Sequence, residues 1–217
     1  MRKFILAIAL IAISTFSAKA QTYNTPTLPL QLGHHIGVIG CSNTLGAAYG
    51  YYLDGGSMML WPTYPIGGGR IYDWANPQSP YWTMFQHMVA LYGIPPFTFV
   101  NLCEEYLTIH DTYDEVKAML ANLQIYAPGT IPYISAINEY SPSVGLCNFM
   151  GPQGQGETDT QTWAFEAVQD RLAKQGPSLG PLTQALVASP APNGCHPNQD
   201  GMTLLGQQLH QFFDNLK

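Results

Sequence analysis

Short apolar runs alternate with segments of helical period along this chain, and that alternation limits the possible folds more than any other feature. His35-Ile36-Gly37-Val38-Ile39-Gly40 has the character of a buried strand, and Asn43 to Tyr52 follows as a first helix closed by Asp54-Gly55-Gly56. Ser57 to Leu60 reads as a second, weaker strand before the turn Gly67-Gly68-Gly69. Trp82, Phe85, Val89 and Tyr92 recur at helical spacing from Tyr81 to Tyr92, Pro95-Pro96 ends that helix, and Phe97-Thr98-Phe99-Val100 is a further strand. Asp111 or Thr112 caps a helix with Val116, Met119, Leu120 and Leu123 on one stripe, and Ile131 to Ile137 is the next strand. Asn138 to Gln155 is irregular, Asp159 to Lys174 is helical, and Leu182 to Val187 suits either a last strand or a helical turn. The final helix runs from about Asn198 to Leu216. Strands alternating with helices imply right-handed crossovers and a parallel sheet covered on both faces, so the expectation is one α/β domain.

The N-terminus is of a different kind. Arg2 and Lys3 precede the apolar run from Phe4 to Ile13, and Ala18-Lys19-Ala20 offers small residues where a signal peptidase reads. The run is too short to span a bilayer, and no later segment reaches about 20 apolar residues. The expectation is a cleaved leader over residues 1–20, a single domain over 21–217, and export to a secreted or periplasmic location without a stable membrane anchor. Gln21 to Leu32, rich in Thr, Pro and Gln, reads as an extended arm. Cleavage after Ala20 leaves 197 of the 217 residues and removes three of the 8 basic ones, taking the formal charge from -6 to -9. So acidic a chain lacks the clustered Lys and Arg that phosphate neutralisation requires, which excludes nucleic acid as a partner.

Export gives the four cysteines, Cys41, Cys103, Cys147 and Cys195, a meaning. An even number in an oxidising compartment implies two disulfides, for which three connectivities exist. Metal binding is the rival reading. No CxxC pair is present and the spacings of 62, 44 and 48 residues are unlike those of compact zinc sites, so neither a metal nor another cofactor is implied.

Ligands of parallel sheets gather beyond the carboxyl ends of the strands, and three polar motifs fall there. In Gly40-Cys41-Ser42-Asn43-Thr44, a Ser at a tight strand-to-helix junction is either a plain helix cap or an outward hydroxyl beside a positive helix end. Asn193-Gly194-Cys195-His196-Pro197-Asn198 opens the last helix and holds a His in a fixed setting suited to a general base. The other histidines, His34, His35, His87, His110 and His210, have no comparable setting. Gly67-Gly68-Gly69-Arg70 is a loop whose backbone N–H groups can face an anion, although no GxxxxGK[ST] phosphate loop is present. Trp61, Tyr64, Trp74, Tyr81 and Trp82 surround this loop and read as core before they read as an apolar or sugar-stacking rim.

Taken together, residues 36 to 216 resemble the GDSL/SGNH hydrolase family, whose members have a flavodoxin-like three-layer sandwich with a central parallel sheet. The family's first block reads Gly-Asp-Ser where this chain has Gly40-Cys41-Ser42, and its last reads Asp-x-x-His where this chain has Asn193-Gly194-Cys195-His196. By that resemblance Ser42 is the nucleophile, His196 the base and Asn193 the third member. The oxyanion hole would use the Ser42 and Gly69 N–H groups, with Gly68 in the alternative register. The family's third block supplies an Asn donor, and a gap-free reading puts Glu104 there, with Asn101 as the substitute. An ionised carboxylate cannot donate to an oxyanion. An amide in place of the orienting carboxylate, as at Asn193, costs about 10⁴-fold in the Ser-His-Asp template. The fold that the resemblance implies pairs Cys41 with Cys103 and Cys147 with Cys195. The function it implies is hydrolysis of a small-molecule or carbohydrate ester, with an inactive ligand-binding relative as the alternative; oligomeric state is left open.

Overall fold

The computed structural model describes residues 35–61, 69–104, 110–141, 155–188 and 196–216. The leader with Ala20, the following arm, Tyr64, Gly68, Cys147, Asn193 and Cys195 lie outside the described residues.

Five strands form one parallel sheet: β1 (His35–Ile39), β2 (Met59–Leu60), β3 (Phe97–Asn101), β4 (Ile131–Ser135) and β5 (Lys174–Gln175), in the order β2-β1-β3-β4-β5. The helices are α1 (Ser42–Leu53), α2 (Ile71–Ala75), α3 (Pro80–Tyr92), α4 (Tyr113–Tyr126), α5 (Gln155–Gln169) and α6 (Gln199–Phe213). This is the doubly wound flavodoxin-like order, and its switch point lies between β1 and β3. Among the described residues no helix is long and apolar enough to cross a membrane.

The central strands are buried on both faces, which is why they read as continuous apolar runs. Ile36, Val38 and Ile39 of β1 lie beside Phe99 and Val100 of β3 and Ile134 of β4, all nearly inaccessible. Trp61, Trp74 and Trp82 are at most 2% exposed, and Trp82 meets Trp74 edge-on with ring centres 4.8 Å apart. These three rings are core, and no platform for a sugar is made from them.

Helices α1 and α6 cross with their backbones in contact. A Cβ on Gly206 would stand 1.9 Å from the Gly50 carbonyl carbon, and one on Gly50 would stand 1.7 Å from the Met202 oxygen. Glycine at the crossing lets the helices close to backbone contact, and this fixes how far apart their N-termini lie.

Several elements differ from the sequence expectation. Helix α2 is only five residues long, too short to show a helical period. Helix α5 covers Gln155–Gln169 rather than 159–174, because Arg171 adopts φ 60° and the chain then turns into β5. Strand β5 is two exposed polar residues and carries no apolar signal. Gln184–Leu186 is a 3-10 turn, flanked by isolated bridges at Leu182 and Val187.

Candidate active site

The Ser42 hydroxyl lies 2.7 Å from Nε2 of His196, across 154 positions of sequence. Ser42 opens α1, so its backbone N–H is among those a helix leaves without an intrahelical partner, and it faces the positive end of the helix dipole. The bend that places it there needs Gly40, since a Cβ at that position would sit 2.1 Å from the Thr44 hydroxyl.

A chain of hydrogen bonds holds this junction. Thr44 Oγ1 accepts from the Cys41 N–H at 3.0 Å and donates to Asn101 Oδ1 at 2.7 Å, and Asn101 Nδ2 donates to the Ala136 carbonyl at 2.6 Å. The strut runs from the end of β1 through β3 to the end of β4. A disulfide between Cys41 and Cys103 runs beside it, joining the residue before Ser42 to the segment after β3.

His196 is held by a receiving segment rather than by the sheet. The Ala188 N–H donates to the His196 carbonyl at 2.8 Å, Val187 bridges Pro197 antiparallel, and the Asn198 N–H donates to the Leu186 carbonyl at 2.9 Å. Asn198 then caps α6 by accepting from the Gly201 N–H at 3.0 Å. With Nδ1 carrying the ring proton, Nε2 accepts from the Ser42 hydroxyl, the arrangement a general base requires.

The structure brings Ser42 to His196 and Cys41 to Cys103, and it engages two expected oxyanion donors in hydrogen bonds of the scaffold. The Gly69 N–H donates to the Gly40 carbonyl at 3.0 Å, which pins residue 69 to the end of β1 and engages that donor in the scaffold. The Trp74 indole N–H strengthens the same clamp, reaching the Gly40 carbonyl at 3.2 Å and the Gly69 carbonyl at 3.1 Å. Gly68, the alternative register, lies outside the described residues. Asn101 is 1% exposed, with its Oδ1 accepting from Thr44 and its Nδ2 donating to the Ala136 carbonyl, so in this structure it serves as a strut.

Glu104 is also buried, and its carboxyl faces His110, with Oε1 3.6 Å from Nδ1. Burial, then the Asp159 and Asp111 carboxylates, push it up to about 7.

Sequence reasoning passed over the polar groups beside the nucleophile. The buried Asn43 amide donates to the Tyr140 hydroxyl at 3.2 Å, and burial raises the Tyr140 pKa well above the usual tyrosine range. Asn43 follows Ser42 directly, but nothing in the sequence signals that Tyr140 meets it across two strands.

With this geometry in place, the fold can be set against known proteins. No protein-family model and no curated protein matches the sequence. Among solved structures it is similar to the "putative SGNH hydrolase" of Slackia heliotrinireducens, with a TM-score of 0.56 over 82% of this chain and 98% of that one. The fold is of the SGNH-hydrolase type. At 16% identity the likeness speaks for the fold alone, and the chemistry rests on this chain's own residues.

Proposed function

We propose that this protein is a secreted serine esterase, with Ser42 as nucleophile and His196 as base. The observation that carries the reading is the 2.7 Å contact between Ser42 Oγ and His196 Nε2 at the switch point of the sheet. Ser42 Oγ attacks the ester carbonyl carbon as its proton passes to Nε2. The tetrahedral oxyanion forms beside the N-terminus of α1, where the Ser42 N–H is in place to receive it. Collapse expels the alcohol, which takes the proton back from His196, and water hydrolyses the acyl-enzyme by the same steps. Acetylated sugars and small acyl esters are the substrate classes proposed. Export is part of the proposal and is supported by the Arg2-Lys3 start, the apolar run and Ala18-Lys19-Ala20.

The engagement of Gly69 and Asn101 in structural hydrogen bonds favours a second reading, an SGNH-fold protein that binds a carbohydrate or other ligand with little turnover. Loss of one oxyanion donor typically costs about 10²–10³ in rate. Turnover of p-nitrophenyl acetate by wild type and Ser42→Ala separates the two. The esterase reading expects a loss of about 10³-fold or more in kcat/KM for the variant, and equal rates leave only binding.

A further inference from the structure

Besides the Ser42–His196 pair, three residues converge that the proposed esterase chemistry does not use. Glu104 follows the disulfide-bonded Cys103, His110 precedes the cap of α4, and Asp159 lies in the first half of α5. Each turns one ligand-type atom inward, and those atoms lie within 4.8 Å of one another. We propose that Glu104, His110 and Asp159 bind one divalent metal ion of borderline character, with zinc the first choice.

Glu104 supplies the strongest argument. Its side chain is fully sealed from solvent, and neither carboxylate oxygen makes a hydrogen bond among the described residues. The Asp111 N–H and the His110 ring favour its charge, Asp159 and Asp111 oppose it, and no Lys or Arg is among the charges acting on it. A buried carboxylate so weakly compensated is costly, and a second carboxylate beside it raises that cost. A cation between them removes the difficulty.

The His110 ring is prepared for this role. Its Nδ1–H donates to the Asp111 carbonyl at 2.8 Å, which fixes the tautomer, and Nε2 lies 3.9 Å from Asp159 Oδ2. Metal-bound histidines are held in this way, with the second ring nitrogen donating to a carbonyl or carboxylate. Nδ1 lies 3.6 Å from Glu104 Oε1 and Nε2 lies 3.9 Å from Asp159 Oδ2, both too long for direct hydrogen bonds. One ligand-type atom from each residue lies within 4.8 Å of the other two, so a cation among them would lie about 2–3 Å from each once the His110 ring turns Nε2 to it. One imidazole with two carboxylates suits zinc or manganese better than calcium or magnesium, which favour oxygen ligands alone. His110 and Asp159 retain 57% and 20% side-chain exposure, so the ion has a path in and room for water ligands.

The test is independent of ester hydrolysis. Untagged protein is stripped with chelator and titrated with zinc chloride by calorimetry, and thermal midpoints are recorded with and without zinc. Wild type is expected to bind one equivalent at micromolar Kd or tighter, with a raised midpoint. His110→Ala and Asp159→Asn alter partly exposed side chains and should stay folded. Each is expected to weaken binding at least about tenfold and to lose the zinc-dependent shift. Glu104→Gln should lose zinc without a fall in the metal-free midpoint, because it removes a buried charge. Absence of saturable 1:1 binding in wild type overturns the site, as does wild-type affinity in both surface variants. Calcium binding as tight as zinc overturns the choice of ion.

Discussion

Asn101 holds two strands and a helix together through one buried amide, and its neighbourhood shows how few groups set the site. Asn101→Ala would leave the Thr44 hydroxyl and the Ala136 carbonyl without their partner. The expected loss is about 1–3 kcal/mol of stability by urea denaturation. Turnover per folded molecule should stay within about tenfold; a fall of about 10²–10³ would restore Asn101 as an oxyanion donor. The residue type was legible, but its direction was not, because a strand residue's neighbours are set by pairing with β4. His35 supports a prediction of another kind. Burial holds its imidazole below the ordinary value of 6.5, against the opposing contact with the Gly93 carbonyl. The unfolded chain therefore takes up this proton at a higher pH than the folded protein, and the His35 contribution to stability falls as pH drops through about 6.5. Glu104 and Asp111, both raised to about 7, act in the opposite sense, so the test is a difference: from about pH 7.5 to 5 the thermal midpoint of His35→Gln should fall less, or rise more, than that of the wild type. An identical slope in the variant would assign the effect to other groups.

Among the elements, the crossing of α1 and α6 sets how Ser42 and His196 approach one another. Both helices start at the site, and the contact between Gly50 and Gly206 sets their separation. Gly206→Ala is expected to cost about 1–3 kcal/mol and to reduce kcat, because a Cβ at that position must push the helices apart. Retained stability and rate would show that the crossing is loose. The Cys41–Cys103 disulfide closes a loop of 62 residues around the switch point. Removing it as the double variant Cys41→Ala, Cys103→Ala should lower stability by about 2–4 kcal/mol in urea, and an unchanged midpoint would leave the Thr44–Asn101 strut to hold the junction alone. The long helices and the apolar strands were readable from period and composition. Helix α2 and strand β5 were not, since five residues and two residues give no periodicity and their pairing depends on distant partners.

At the scale of the whole molecule, the strand order brings distant segments to one end of the sheet. If the leader is processed as proposed, N-terminal sequencing of exported protein should begin at Gln21-Thr22-Tyr23, and an intact Met1 would refute cleavage. The sequence by itself determined the α/β pattern and the low basic charge, and it marked Ser42 and His196, each at the start of a helix, as groups to examine. These are properties of local pattern and residue chemistry, and they survive without knowledge of what packs on what. Only the tertiary structure decided that the Gly69 N–H faces Gly40, that Asn101 is a strut and that the tryptophans are core. It alone assembled Glu104, His110 and Asp159, because no spacing in the sequence marks them as neighbours. The physical reason is the same in each case: a hydrogen-bonding or ligand group takes its role from the partner in front of it, and in a parallel sheet that partner comes from a distant crossover.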